Sequence, residues 1–389
     1  MYKSTKIKDD IVWIGVNDRK IEKWESHIPL DFGVTYNSYV ILDEKICIID
    51  GVEEGENGDF FRKLEATIGD RQVDYIIINH VEPDHSGSIK SLLKMYPNIK
   101  VVGNAKSISI LKLLDIDIPN DRAVVVKEKD ILDLGKHKLT FYLMPMVHWP
   151  ESMATYDTTD KILFSNDAFG QHYAVEELFN DKADQCLLWK EAMKYFANIL
   201  TPFAPILTKK LEEITGFNLP IDMIAPSHGA IWREDPLKIV KKYGEWAADY
   251  QEDQITIAYD TMWEGTTKIA HKIAEEIHAK SPDTVVKVFN ISKSDKNEVM
   301  TEIFKSKAIA VGSPTVGNSI LSSVAGWMEF LKQLKFKNKK AAAFGCYGWS
   351  GESVKILKEQ LTGAGFKVAE ENIKVLWNPK EEDFNKVPE

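Results

Sequence analysis

The chain has 389 residues, 44% of them hydrophobic and 28% charged, which gives room for two soluble domains with cores of their own. Its formal net charge of -10 and pI near 5.5 exclude a general binder of nucleic-acid phosphate, which needs concentrated Lys and Arg. The opening MYKSTKIKDDIVWIG lacks the apolar core of a signal peptide, and no run approaches the roughly 20 apolar residues that span a bilayer, so the expected location is cytoplasmic with no membrane partner.

The first third alternates short β-branched runs, IVWIGV, YVIL, KICIID, YIIINH and IKVVG, with helical patterns such as SIKSLLKMY and AKSISILKLL. Strands KLTFYLMPM and KILFSND follow, then a helical stretch from about Lys182 to Leu211, then the strand IDMIAPSHG. This predicts a layered α/β or α+β domain whose strands end in polar clusters. From about Gln254 the rhythm becomes regular, with ITIAYD, TVVKVFNI, KAIAVGSP, KKAAAFG and FKVAEENIKVLW separated by helices, the pattern of a doubly wound parallel sheet. The expected boundary lies near Ala248 to Asp253, giving domains 1–250 and 251–389. The three cysteines, Cys47, Cys186 and Cys346, are odd in number and far apart, so any metal site must use His and carboxylate.

The densest chemistry lies in NHVEPDHSGS, Asn79 to Ser88, directly after the apolar YIII. Imidazole nitrogens and carboxylate oxygens satisfy a metal ion without thiolates, and His80, Glu82, Asp84 and His85 are more than one ion needs. With Pro83 shaping the turn, alternate side chains His80, Glu82 and Asp84 can converge while His85 points to a neighbouring ion. The plain alternative is a polar loop that caps the next helix, with Ser86 to Ser88 ahead of IKSLL. Three more ligand types stand where apolar strands run out: His148 after LMPMV, Asp167 after ILFSN and His228 after MIAPS. Each alone is explained by a satisfied histidine or an aspartate cap.

In this order they resemble the metallo-β-lactamase superfamily. The resemblance implies an αββα sandwich with a binuclear site at its edge, built by a His-x-His-x-Asp-His loop, a later His, a bridging Asp and a final His. Glu82 departs from the pattern by standing where the second His belongs. A carboxylate there adds negative charge and a hard donor, which favours ions that cycle between divalent and trivalent states and tilts zinc toward iron.

A second cluster opens the C-terminal domain. In YDTMWEGTTKIA, residues Thr261, Met262, Trp263, Glu264, Gly265 and Thr266 form a hydroxyl- and glycine-containing loop at a helix start, where backbone N–H groups suit a phosphate. It is neither a Walker A loop nor a G-x-G-x-x-G turn, and Thr and Gly also make ordinary N-caps. Two more loops fall at the same sheet edge: Ser313, Pro314, Thr315, Val316, Gly317 and Asn318 after the third strand, and Cys346, Tyr347, Gly348, Trp349, Ser350 and Gly351 after the fourth. Together the three resemble the flavodoxin family, in which the first holds the flavin phosphate and the others embrace the isoalloxazine. Tyr347 and Trp349 are then the aromatic candidates for flavin contact; the alternative is a glycine-flanked turn that buries them.

A metallo-β-lactamase-like domain carrying His-x-Glu-x-Asp-His, followed by a flavodoxin-like domain, resembles the flavodiiron proteins over nearly the whole chain. GVTYNSYVI, HWPESM and SNDAFG are also similar to segments of that family. The resemblance implies FMN and two non-haem iron ions per chain. It assigns one iron to His80, Glu82, His148 and Asp167, and the other to Asp84, His85, Asp167 and His228, with Asp167 bridging. It also implies reduction of O2 to water, of NO to N2O, or both.

The family forms head-to-tail homodimers or dimers of dimers, in which the flavin of one subunit faces the irons of the other. No Cys-x-x-Cys pair is present, so a separate donor is expected: a rubredoxin, a rubredoxin reductase chain or reduced coenzyme F420. His172 and Trp149 are candidates for catalytic support, His172 for substrate access or proton delivery, although a loop histidine is an equal reading. Many members carry Phe-His-Gly near Trp24 to Ser26, where the nearest histidine here is His27, read as a loop residue rather than a ligand. His271, His278 and His137 are expected at the surface. Two rivals remain: a zinc-dependent binuclear hydrolase with a regulatory flavodoxin-like domain, and a pure electron-transfer protein with an inert metal site.

Overall fold

A computed structural model describes residues 4–384, so the outermost residues of both expected domains, 1–3 and 385–389, lie outside the described residues. The chain divides into two units, Met1–Tyr195 with Pro205–Gly244, and Phe196–Ala204 with Glu245–Glu389.

The first unit is built on two large sheets. The larger runs in the order Thr5–Lys6, Ile11–Trp13, Tyr39–Leu42, Ile46–Ile49, Tyr75–Ile77, Lys100–Gly103, Ala123–Val125, antiparallel to Ile46–Ile49 and parallel beyond it. The smaller runs Ile131–Asp133, Lys138–Leu143, Met153–Asp157, Ile162–Phe164, Met223–Ala225, antiparallel except for the last pair. Alternate residues of each strand meet between the sheets: Tyr39 and Ile41, Cys47 and Ile49 from one, Leu139 and Phe141, Ile162 and Phe164 from the other. This period of two is the pleat of a sheet with a buried inner face. Ile46–Ile49 is buried on every residue, which requires cover on the outer face too, as in a four-layered αββα sandwich.

Register decides where chemistry can collect. Residues following Ile46–Ile49, Tyr75–Ile77, Lys138–Leu143, Ile162–Phe164 and Met223–Ala225 emerge at one end of the sandwich, and the turns that start the same strands lie at the other. The helix expected from about Lys182 to Leu211 is broken: Gln185–Tyr195 gives way to a wider turn at Phe196–Leu200 and a tight one at Thr201–Phe203 before Ala204–Gly216. Pro202 and Pro205 lack the N–H that a continuous helix would use.

In the second unit five parallel positions follow the order Val285–Asn290, Glu252–Tyr259, Ser306–Gly312, Lys340–Tyr347, and then a split fifth strand, Lys367–Val368 and Ile373–Leu376. That is the doubly wound order 2-1-3-4-5, with its binding edge at the strand C-termini. The split is bridged by Asn372, whose Oδ1 accepts the Ala343 N–H at 2.8 Å. Lys339 is only 3% exposed, and its ammonium donates to the carbonyls of Phe304 (2.8 Å), Ser306 (2.7 Å) and Tyr250 (3.0 Å). Lys339→Met leaves these acceptors without a donor and is expected to destabilise this unit by about 3 kcal/mol. Denaturant unfolding checks this; a loss within about 0.5 kcal/mol would make the lysine dispensable.

His271 and His278 are exposed, as the helix pattern implies. His137 is a correction: it is fully buried, because its turn folds back between the ends of both sheets instead of projecting from them.

Candidate functional site

The loop after Tyr75–Ile77 is pinned before it delivers any ligand. Asn79 donates its backbone N–H and Nδ2 to the buried Asp50 carboxylate (2.7 and 2.9 Å), accepts from Thr155 Oγ1 (2.7 Å), and through its carbonyl accepts the Met153 N–H (2.9 Å). Both sheets therefore fix its position. Glu82 precedes a single turn, Pro83–Ser86, with proline at the start, where a missing N–H costs nothing. Gly87 is required there, because a Cβ would lie 2.5 Å from the backbone nitrogen of Glu54.

The structure brings all seven expected ligands into one buried pocket as two adjoining groups. In the first, His148 Nε2 lies 2.9 Å from Asp167 Oδ2 and 3.5 Å from Glu82 Oε2, and His80 Nε2 lies 3.1 Å from Glu82 Oε2 and 3.6 Å from Asp167 Oδ2. In the second, His85 Nε2 and His228 Nε2 both lie 3.1 Å from Asp84 Oδ2, and 3.1 and 3.4 Å from Asp167 Oδ1. Asp167 thus offers one oxygen to each group.

These donors fit metal ions. Both Asp84 oxygens, Asp167 Oδ1, His85 Nε2 and His228 Nε2 are shielded from solvent and lack a hydrogen-bond partner. Such groups are costly in a dry interior unless a cation takes them up. Burial opposes ionisation of Asp84 and Asp167, yet the neighbouring imidazoles, His85 foremost, hold both well below the ordinary carboxylate range. Conversely, burial disfavours charge on His148 and His228, yet the carboxylates raise them to about 10 and about 9. The pocket demands positive charge, and metal ions can supply it in place of protons.

Ring orientation comes from behind. His80 Nδ1 donates to Glu151 Oε1 at 2.7 Å, and His228 Nδ1 donates to the Thr35 carbonyl at 2.7 Å, which turns each Nε2 inward, where a metal ion can replace its proton. Glu151 was not legible as a participant, although it lies inside HWPESM three residues after His148. Glu151→Gln is expected to weaken metal retention about 10- to 100-fold in a chelator titration; retention equal to the parent would show that Glu151 does not orient His80.

Trp149 meets the His80 ring edge-on at 5.1 Å. His172 is buried, 6.0 Å from His228, 4.8 Å from Trp24 and 4.9 Å from Tyr195. Burial, reinforced by His228, pushes its pKa well below the ordinary histidine value, so it is a neutral imidazole. Trp24 also lies 5.2 Å from His228; it reaches the pocket on a hairpin, Lys23–Trp24 with Ile28–Pro29, whose tip residues Glu25 and Ser26 adopt positive φ of 44° and 63°. Sequence reasoning missed Trp24 and Tyr195 as wall residues. His27 is exposed and bonds the Glu25 carbonyl at 2.9 Å.

In the second unit a cavity of about 510 Å³ opens at the sheet edge, within the range of cofactor sites. Met262, Trp263, Gly265, Pro314, Thr315, Cys346, Tyr347 and Gly348 line it, as do Lys268, Trp377 and Asn378, which sequence reasoning missed. Trp377 arrives from the fifth strand and packs on Gly348, where a Cβ would fall 2.9 Å from the indole. The Thr261 and Thr267 hydroxyls are shielded and unpartnered beside the start of the helix Gly265–Lys280, which fits a phosphate.

Thr266 Oγ1 lies 3.5 Å from Cys346 Sγ, and Glu264 turns the loop into the helix with φ 61°. Ser313 is buried, accepting the Leu321 N–H at 3.0 Å. Val316, Gly317 and Asn318 form a turn closed on Ser319, and Trp349, 86% exposed, stands 6.2 Å from Trp377. Ser350 and Gly351 lead into the next helix and, like these residues, are not part of the cavity lining.

Residues 34–229 match the family described as ODP family beta lactamase, and residues 257–387 match flavodoxin. The chain is 44% identical over 375 residues to a protein named anaerobic nitric oxide reductase flavorubredoxin from Vibrio vulnificus (strain YJ016), covering 96% of this chain and 76% of that one. Its structure resembles rubredoxin oxygen:oxidoreductase from Desulfovibrio gigas, with a TM-score of 0.95, 34% identity, and 99% and 96% of the two chains covered. It also resembles the flavodiiron protein from Giardia intestinalis, with a TM-score of 0.93, 30% identity, and 99% and 94% covered.

Proposed function

The chain belongs to the flavodiiron protein family, and from that membership we propose that it is an oxidoreductase that reduces O2 to water, NO to N2O, or both, using FMN and a non-haem diiron centre. The carrying observation is Asp167, whose two carboxylate oxygens face two separate groups of histidine and carboxylate donors. His80, Glu82, His148 and Asp167 hold one iron, and Asp84, His85, His228 and Asp167 the other. Three carboxylates against four neutral imidazoles place three negative charges around two ions, a donor set suited to iron that changes valence. Bound, the irons and the flavin together supply up to four electrons, the number O2 needs to reach water, against two for joining two NO molecules.

The chain's own residues orient and enclose. Glu151 and the Thr35 carbonyl aim imidazoles inward, Trp149 braces His80, and Trp24, Tyr195 and neutral His172 wall the pocket beside His228, limiting water. Thr261, Thr267 and the helix start at Gly265 hold the flavin phosphate, and Tyr347 and Trp377 lie along the cavity that takes the ring. Glu82 and the flavin-sized cavity count against a zinc hydrolase, which needs neither. Among the described residues, no helix is long and apolar enough to cross a membrane.

Reducing equivalents come from an external donor, a rubredoxin, a rubredoxin reductase chain or reduced F420, and the working unit is a homodimer. An anaerobic titration tests the core of the proposal: two irons and one FMN per chain, and uptake of O2 or NO once fully reduced. Less than one iron per chain, or no gas uptake, would sink it. Parallel assays with reduced rubredoxin and reduced F420 identify the donor, and sedimentation reports the dimer.

A further inference from the structure

At the other end of the sandwich from the diiron loops, three turns converge. Asp10 precedes Ile11–Trp13 of the larger sheet, His137 precedes Lys138–Leu143 of the smaller, and Asp160 lies between Met153–Asp157 and Ile162–Phe164. One donor atom from each lies within 4.8 Å of the others. The five-residue strand Met153–Asp157 separates this cluster from the diiron end, a span of about 17 Å.

His137 is 0% exposed, and its Nδ1 lies 2.9 Å from Oδ2 of the equally buried Asp157. That bond fixes the ring as Glu151 fixes His80. Its Nε2 is aimed into the gap between Asp10 and Asp160: it lies 3.1 Å from Asp10 Oδ2 without the alignment of a hydrogen bond, and it has no other partner. Asp10 Oδ1 and Asp160 Oδ2 are likewise shielded and unpartnered. Three side chains of metal-ligating type thus face one small space, with a carboxylate backing the imidazole.

We propose that Asp10, His137 and Asp160 form a third metal site that takes one divalent transition-metal ion, zinc by its donors, and ties the two sheets together. One imidazole and two carboxylates suit zinc, with water completing the shell, and Asp157 is the outer carboxylate that such histidines use. Lys136 places its ammonium 2.5 Å from Asp10 Oδ2 while its side chain is 55% exposed. It sits where the carboxylates attract positive charge, and its exposure lets it swing out when an ion enters. The ion's role is structural, because Asp10 belongs to one sheet and His137 and Asp160 to the other.

The test is zinc titration of the iron-loaded protein by calorimetry, with iron content followed in parallel. One zinc per chain is expected to bind with the iron retained, and the temperature of unfolding should rise with it. His137→Asn should weaken zinc binding about 100-fold and Asp160→Asn about 10-fold, whereas Lys136→Gln should tighten it by removing the competing cation. Asp160 lies in a turn, so its variant remains informative if His137→Asn does not fold. Zinc that binds only as iron leaves, or binds Asp160→Asn as it binds the parent, overturns the proposal.

Discussion

Asp167→Ala is expected to abolish gas reduction, by about 10³-fold or more, while FMN stays bound. The residue is the sole member of both donor groups, 2.9 Å from His148 on one oxygen and 3.1 Å from His85 on the other. Its loss opens both coordination shells and removes the negative charge between them. A thousandfold loss corresponds to about 4 kcal/mol of transition-state stabilisation, and iron retention should fall with it. Asp167→Asn separates shape from charge: it keeps the side-chain volume but replaces one oxygen by a nitrogen that cannot ligate. Iron analysis, the flavin absorption band and gas uptake by electrode give the answer together. Parent-level uptake in either variant would mean that Asp167 does not bridge.

The complementary variant is Gly265→Val, which is expected to lose FMN by at least about 100-fold in affinity, or about 2.7 kcal/mol, while both irons remain. A Cβ at this position already falls 2.8 Å from Cys346 Sγ and 3.6 Å from the Trp377 carbonyl. The valine methyls would therefore occupy the cavity where the phosphate loop meets the third flavin loop. Thr267→Val is a gentler companion, close in shape but lacking the hydroxyl, and should weaken FMN by about tenfold, the scale of one hydrogen bond to a charged group. Flavin release on dilution, read by fluorescence, and iron content are the measurements. Full flavin retention in Gly265→Val would move the cofactor out of this cavity.

The two failures differ because each site is assembled within its own unit, and the sequence reflects that difference. Donors that sit where an apolar run stops, such as His80 after YIII or His228 after MIAPS, can be found from composition and spacing, because a strand must end at the sheet edge. Glu82 could be weighed as a carboxylate in place of an imidazole for the same reason. The C-terminal loops were legible because alternating strands and helices leave only one edge for loops of that kind.

Residues that arrive from elsewhere were not legible. Glu151 supports His80 across 71 positions, Trp24 reaches the pocket on a hairpin whose turn carries no glycine, and Trp377 enters the flavin cavity from a split strand. His137 looked like a surface turn and became the buried centre of a cluster.

Chain order alone was enough to establish the types of donor, their strand-end positions and the two fold patterns, because these follow from side-chain chemistry and short-range periodicity. Register and the approach of the two sheets decided which oxygen of Asp167 faces which histidine, which nitrogen of each imidazole is free, and which acids stand behind them. Those are distances of a few ångströms between residues far apart in the chain, and such distances exist only once the sheets have packed.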